Sequence, residues 1–352
     1  MNKPIRIFIS TLSIILCTLG YSQTHEPLSV VEVSELFLEE QIMPIKLSYS
    51  ITEIKKDTND STYIDSKLSY RLNDTTWKSL DIELRARGNY RLKNCYFPPL
   101  KVKIKKSHSK NTAFEGNKTL KIVLPCLVQK DNNDNVIKEY LAYKLFELIS
   151  PYHFKTRLLE VDLENMKRNT SKSYQLKGFF IEDDKTAAKR LNAKIYKRNM
   201  HPLNQESMAS IRNAFFQFMI GNTDFSQAYQ HNMKVLYIEE KMIPIPYDFD
   251  MSGFVNCSYA TVSQIEGNSL GLSSVTQRKF RGFERDENLF EQVRQEFLKN
   301  RLKIFSLLDS YKDMFENENE FTIARDYISS FFEVMVNTDK FKTEILNSAR
   351  KE

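Results

Sequence analysis

Glycine is scarce: the chain holds 9 in 352 residues, well under the usual ~7%. None falls in a GxGxxG or GxxxxGK pattern. Both patterns need glycine so that backbone can close on phosphate, so a dinucleotide-type or Walker-type loop is excluded. Cysteine is also sparse. Cys17, Cys95, Cys126 and Cys257 show no Cys-x-x-Cys spacing and no nearby His pair, so neither a zinc site nor a disulfide framework is indicated. One bridge can form among the last three, with its pairing open. Past the N-terminus no segment approaches the roughly 18 to 20 uncharged apolar residues of a spanning helix. Charge of one sign is lacking too: 51 Lys and Arg face 45 Asp and Glu, a net +6, and so mild an excess implies no nucleic-acid role. Internal repeats and low-complexity linkers are absent.

What is present begins with a charged stretch, Met-Asn-Lys-Pro-Ile-Arg, followed by "IFISTLSIILCTLG" and then "YSQ". This order predicts a signal peptide over residues 1–22 with cleavage near Ser22 or Gln23, and an exported mature chain of net charge +4. Cys17 has no small residue before it to suit lipidation and falls in the discarded peptide.

From about 45 to 124 apolar and polar residues alternate. "KSLDIELRARGNY" sets Leu80, Ile82, Leu84 and Ala86 against Asp81, Glu83, Arg85 and Arg87, and "PPLKVKIKK" and "KTLKIVLP" add strands. "DNNDN" reads as a turn before a helix carrying Ile137, Leu141, Leu145 and Leu148. "TRLLEVDL" and "SYQLKGFFIEDD" are further strands. "ESMASIRNAFFQFMIG" is a helix that Gly221 should stop as a left-handed cap, and "MKVLYIEE" and "MIPIPYDFD" form a hairpin turning at Glu239 to Lys241. From about 284 the chain is amphipathic helix. These patterns predict a β-rich lobe over 23–190 and a mostly helical lobe over 191–352.

Between these segments lies "GNTDFSQAYQHNMKVLYIEEKMIPIPYDFDMSG", residues 221–253. In an extended chain Asp248 and Asp250 share one side and Tyr247 and Phe249 the other, with Ser252-Gly253 ending the strand. A surface strand with its aromatics inward would show the same letters. Likewise His231-Asn232 can be a plain turn and Asp224 an Asx-turn. Yet carboxylates and a carboxamide at turns are the hard oxygen ligands that Mg²⁺ prefers, and three coincident turn residues in so short a stretch favour a site. The Lys face of "KVKIK" is either a solvated edge or a phosphate clamp. Four of the eight mature glycines, Gly88, Gly178, Gly221 and Gly253, fall at these motifs.

The order "RGNYR…FPPLKVKI", "KTLKIVLPC", "EYLAYKLFELI", "KGFFIEDD", "NTDFSQAYQHN…PIPYDFDMSG" resembles the spore-coat-kinase (CotH) family of atypical protein kinases over roughly residues 80 to 255. The resemblance implies an α+β, two-lobed protein-kinase-like fold. It implies Asp224 as catalytic Asp and Asn232, Asp248 and Asp250 as the metal set. It implies Lys101 or Lys103 as the phosphate-binding Lys with Arg87 of the R-G-N turn on the nucleotide side, and Glu182, or else Glu139, as the ion-pair partner of that Lys. Tyr90 departs from the small hydroxyl residue common after R-G-N. The cofactors implied are ATP and Mg²⁺ or Mn²⁺, and the partner is a protein presenting Ser or Thr hydroxyls. Two rivals stand beside this expectation: an exported pseudokinase-like module that binds a protein or glycan, and a metal-dependent hydrolase using the same acids.

Overall fold

Alternation builds the first half of the molecule, because side chains of an extended chain leave it on opposite faces. Leu80, Ile82, Leu84 and Ala86 are all buried, as are Leu100 and Val102, Leu120 and Ile122. The computed structural model describes residues 33–72, 76–88, 90–129, 131–265 and 268–351. The expected signal peptide and Cys17 lie outside them.

The strands are β1 (Met43–Tyr49), β2 (Ile64–Tyr70), β3 (Lys78–Ala86), β4 (Leu100–Lys103), β5 (Thr119–Val123), β6 (Thr156–Met166) and β7 (Ser171–Glu182). They close into a barrel in the order β1-β2-β3-β4-β5-β7-β6. Every neighbouring pair is antiparallel except β1 and β6, which run parallel with Met43 opposite Leu159 and Tyr49 opposite Asn165. The interior is filled by Leu47, Leu68, Leu84, Val102, Val161 and Phe180 among others. This corrects the expected fold. A closed seven-stranded barrel is not a lobe of a two-lobed protein kinase. Alternation looks the same in an open and a closed sheet, and the closing pair joins strands more than a hundred residues apart.

Short helical turns, α1 (Glu35–Leu38), α2 (Ile51–Lys56), α3 (Tyr90–Asn94) and α4 (Lys106–Ser109), punctuate the barrel. The long helix α5 (Asp131–Ile149) follows β5, and α6 (Asp184–Arg190) follows β7. A second core gathers α5 with α7 (Ser207–Met219), α8 (Glu287–Asp309), α9 (Glu318–Val336) and a small sheet of β8 (Lys194–Tyr196), β9 (Met233–Ile238) and β10 (Lys241–Pro246) in the order β10-β9-β8. Thus α5, although it lies between barrel strands in sequence, packs with the helical part. "DNNDN" is the first turn of α5 and not a loop tip. Its side chains tie elements together: Asn133 Oδ1 accepts from the Lys177 amide, and Asp134, fully buried, accepts from the amides of Glu316 and Asn317 just before α9. Among the described residues no helix is long and apolar enough to cross a membrane.

Gly221 stops α7 at φ +61°, and a Cβ there would fall 1.8 Å from the Tyr327 hydroxyl. Both the backbone conformation and the space demand glycine.

Cys95, just past α3, is bridged to Cys126, after β5, with 31 residues of separation, while Cys257 is free and buried. Closing a loop of that length contributes about 3 to 4 kcal/mol in the chain-entropy account. Removing the bridge as Cys95→Ala with Cys126→Ala should lower the unfolding free energy by about 2 to 5 kcal/mol in urea denaturation without reductant. An unchanged midpoint would show that the bridge does not form.

Candidate functional site

The β9–β10 hairpin turns on Glu239 and Glu240, both at positive φ, and its register sets Met233 opposite Pro246. The residues flanking it therefore meet. The Tyr247 amide donates to the Asn232 carbonyl at 3.1 Å. In this way the hairpin brings the chain from Asp224 to Asn232 against the chain from Asp248 to Asp250.

Asp224 lies just past the end of α7, where its amide donates to Asn222 Oδ1 in a tight polar turn. Its carboxylate is held from two sides: His231 Nε2 is 3.1 Å from Oδ1, and Asn232 Nδ2 donates to Oδ2 at 2.9 Å and to the backbone carbonyl at 2.7 Å. The hydrogen bond to Asp224 raises the His231 pKa. With Nδ2 thus committed, the amide oxygen of Asn232 is its remaining polar atom, and no described residue donates to it.

Strand β10 ends at Pro246, so Asp248 and Asp250 stand in a loop and not, as expected, on one face of a strand. Asp248 adopts φ +65°, a left-handed conformation that costs a non-glycine residue energy, although less for Asp than for most. Its amide donates to the Tyr143 hydroxyl at 2.9 Å, while its half-buried carboxylate has no hydrogen-bond or ion-pair partner among the described residues. Phe249, fully buried, packs against Tyr143 at 4.6 Å and Phe216 at 5.3 Å between ring centroids. Asp250 is buried as well. It accepts from the Tyr259 hydroxyl at 2.9 Å and lies 3.9 Å from Arg91. Burial, then the charge of Asp248, outweigh Arg91 and push its pKa up to about 6.

Arg91, in α3, also reaches Glu139 of α5 at 3.4 Å. Despite that ion pair, burial drives the Glu139 pKa up to about 8, with Asp250 and Asp248 pushing the same way. Burial opposes the Arg91 charge, yet Tyr259, Glu139, Asp250 and Asp248 raise its pKa above the usual arginine value. The centre thus holds more carboxylate than its one paired arginine satisfies.

On the barrel side, Arg87 has its Nε buried without a hydrogen-bond partner among the described residues, and its charge is felt by Lys121, Glu139, Tyr143 and Tyr247. Asn89, the third residue of the R-G-N turn, lies outside the described residues. Lys121 of β5 pairs with Asp184 and sits 5.2 Å from the Tyr247 ring centroid. Burial, against the pull of Asp184, lowers its pKa. Lys101 pairs with Asp183 at 3.5 Å, next to that cluster. Lys103 does not join it: it pairs with Glu83 at 2.6 Å on the outer barrel wall. Nor do Glu182 and Glu139 serve either lysine, since Glu182 is held by Arg190 and the Lys155 amide, and Glu139 by Arg91.

Of the residues named from sequence, the structure gathers Asp224, Asn232, Asp248, Asp250 and Arg87, sets Lys101 at the margin, and leaves Lys103 and Glu182 outside. Sequence reasoning missed Arg91, Lys121 and Tyr259. Arg91 stands within the same "RGNYR" and could have been weighed there. Lys121 has the alternation of any strand lysine, and nothing in "KTLKIVLP" marks it. Two surface hollows, lined by residues such as Lys46, Trp77, Asp162 and Gln175, contain none of these groups. No family model matches the chain, and no curated protein matches it.

Proposed function

We propose that this chain is an exported phosphotransferase that moves the γ-phosphoryl group of ATP, with Mg²⁺ or Mn²⁺, to a hydroxyl acceptor, a Ser or Thr side chain of a protein. The observation that carries the reading is Asp248. A carboxylate on a left-handed backbone, without a hydrogen-bond or ion-pair partner among the described residues, and close enough to Asp250 and Glu139 to raise both is a group placed for a cation to neutralise. The order of motifs resembling the spore-coat kinases supports the same chemistry, and the Cys95–Cys126 bridge supports export, since such bridges persist in oxidising compartments.

The residues fit the two cofactors. Asp248 and the amide oxygen of Asn232 are hard oxygen donors with free positions, and Asp250 stands behind them. Among the described residues no group of three or more His, Cys, Asp or Glu side chains forms a metal cage. Mg²⁺ commonly takes one or two carboxylates and completes its shell with water and phosphate, so this donor set suits a cation that arrives with a nucleotide. Arg87, whose Nε has no hydrogen-bond partner among the described residues, and the Lys121 ammonium, which Asp184 holds in place, suit the phosphate oxygens. When bound, the cation would neutralise charge on the phosphoryl group being transferred.

The chain's own groups do the positioning. Asp224 takes the proton of the acceptor hydroxyl at its carboxylate, which is 27% exposed and reachable. His231 and Asn232 fix the direction of that carboxylate. Phe249 anchors the loop so that Asp248 keeps its place as charge arrives. Arg91 holds Asp250 and Glu139 in the absence of a cation.

Variants should separate these roles. Asp224→Asn should lower phosphoryl transfer by roughly 10²- to 10⁴-fold and leave Mg²⁺-ATP affinity nearly unchanged. Asp248→Asn, which keeps a residue tolerant of positive φ, should weaken Mg²⁺-dependent ATP binding itself. Calorimetry with Mg²⁺-ATP and autophosphorylation with labelled ATP measure the two effects. Metal binding without ATP binding in the unaltered protein would point to the hydrolase, and neither to a binding module.

The pH dependence follows from Asp250. Its folded pKa is raised to about 6, so its stabilising contribution is full below the ordinary carboxylate range and is lost as pH rises through about 6. A cation needs the ionised form, so Mn²⁺-ATP affinity should rise over the same window. Asp250→Asn should flatten that rise in calorimetry between pH 5 and 7. A wild-type affinity that does not change across the window would remove Asp250 from the metal set.

A further inference from the structure

From Lys185 to Gln205 the chain contains no acidic residue but carries Lys185, Lys189, Arg190, Lys194, Lys197 and Arg198. Arg190 is spent on Glu182. The other five are exposed, and none has a carboxylate within ion-pair distance among the described residues. In a chain of nearly balanced charge this is a concentration of basic side chains that make no ion pairs among the described residues.

Its placement gives it meaning, because the segment is tied to the candidate site at both ends. At the start of α6, Asp184 binds Lys121 and Lys234. At the far end the Arg198 carbonyl accepts from Gln230 Nε2 at 2.6 Å, and the Met200 amide donates to the Ala228 carbonyl at 3.3 Å. Gln230 precedes His231, which holds Asp224. Strand β8 lies between, as the edge of its sheet, with Tyr196 opposite Val235. Lysines on an edge strand commonly do no more than discourage strand pairing. That accounts for Lys194. It does not account for Lys197 and Arg198 beyond the strand, for Lys185 and Lys189 on α6, or for the exclusion of acids across the whole run.

We propose that this basic strip is the docking surface for the acceptor, and that the acceptor is an acidic polypeptide whose Ser or Thr hydroxyl is delivered to Asp224. The assignment deepens the phosphotransfer reading and rests on it. Charge complementarity beside a reaction centre raises the encounter rate and sets register more than it raises affinity. Tyr229, 65% exposed on the loop between α7 and β9 and next to Gln230, offers the strip an apolar contact for the same chain. A membrane or nucleic-acid role is less favoured, because the strip is short and is tied at one end to Lys121 and Lys234 and at the other to the loop before His231.

The test is fluorescence anisotropy of the full chain, without ATP, using a labelled Glu-rich peptide with a central Ser and a Lys-rich peptide of the same length. The acidic peptide should bind and the basic one should not, and binding should weaken at high salt. Lys194→Glu, Lys197→Glu and Arg198→Glu together should weaken it by roughly tenfold or more. The same reversal at Lys299 and Lys303, exposed on α8, should change nothing. With ATP present, the strip variant should raise KM for the acidic peptide and leave kcat within roughly twofold. Equal binding of both peptides, indifference to the strip reversal, or tighter binding of phosphatidylserine vesicles or single-stranded DNA than of the acidic peptide would overturn the proposal. Peptide binding that survives in a chain showing no transfer would instead sink the phosphotransfer reading and leave the strip as a binding surface.

Discussion

The burial of Phe249 is the contact on which the candidate site depends. A single aromatic ring, fixed between Tyr143 of α5 and Phe216 of α7, sits between two aspartates that the chain must place in opposite environments. Asp250 goes inward, to Tyr259 and Arg91, and Asp248 stays at the half-buried rim with its backbone in a left-handed turn. Losing such a ring from a packed core costs about 3 to 5 kcal/mol, which exceeds the roughly 1 to 3 kcal/mol of a strained residue. The core therefore has enough to hold Asp248 where local preference alone would not.

Electrostatics gives this geometry its chemical sense. Asp224, Asp248, Asp250 and Glu139 converge on one region, and the raised Asp250 and Glu139 record their mutual repulsion as well as their burial. Arg91 answers part of that charge from beneath. Arg87 and Lys121 lie on the barrel side, where Lys121 and Lys234 both approach the Tyr247 ring and share Asp184. Acidic and basic groups thus face one another across the seam of the barrel and the helical core, an arrangement suited to a ligand that carries both a cation and phosphate oxygens. The acid-free run from Lys185 to Gln205, joined to Lys121 through Asp184, extends the basic side toward where the proposed acceptor would approach.

Much of the local structure was legible in the sequence. The alternation of "KSLDIELRA" gave β3 its buried face, the stripe of "ESMASIRNAFFQFMIG" gave α7, and Gly221 marked its end in the conformation expected. What could not be read was long-range. The parallel pairing of β1 with β6 turns a sheet into a barrel, and no periodicity distinguishes the two. "DNNDN" looked like a turn because Asn and Asp favour turns, yet the same side chains favour a helix's first turn when they have distant amides to bind, as Asp134 does. Within the site, the polar turn residues Asp224, Asn232, Asp248 and Asp250 were visible because their chemistry differs from that of their neighbours. Lys103 and Lys121 were indistinguishable as strand lysines, and only the tertiary packing shows that one faces solvent and the other lies beside Tyr247.

Crystals grown with Mn²⁺ and a non-hydrolysable ATP analogue, measured for anomalous scattering, test the central claim most directly. The account predicts a Mn²⁺ peak in direct coordination with the Asp248 carboxylate and the Asn232 amide oxygen, with nucleotide phosphate oxygens completing the shell toward Arg87 and Lys121. A peak elsewhere, or none with Asp248 still unpartnered, would contradict it.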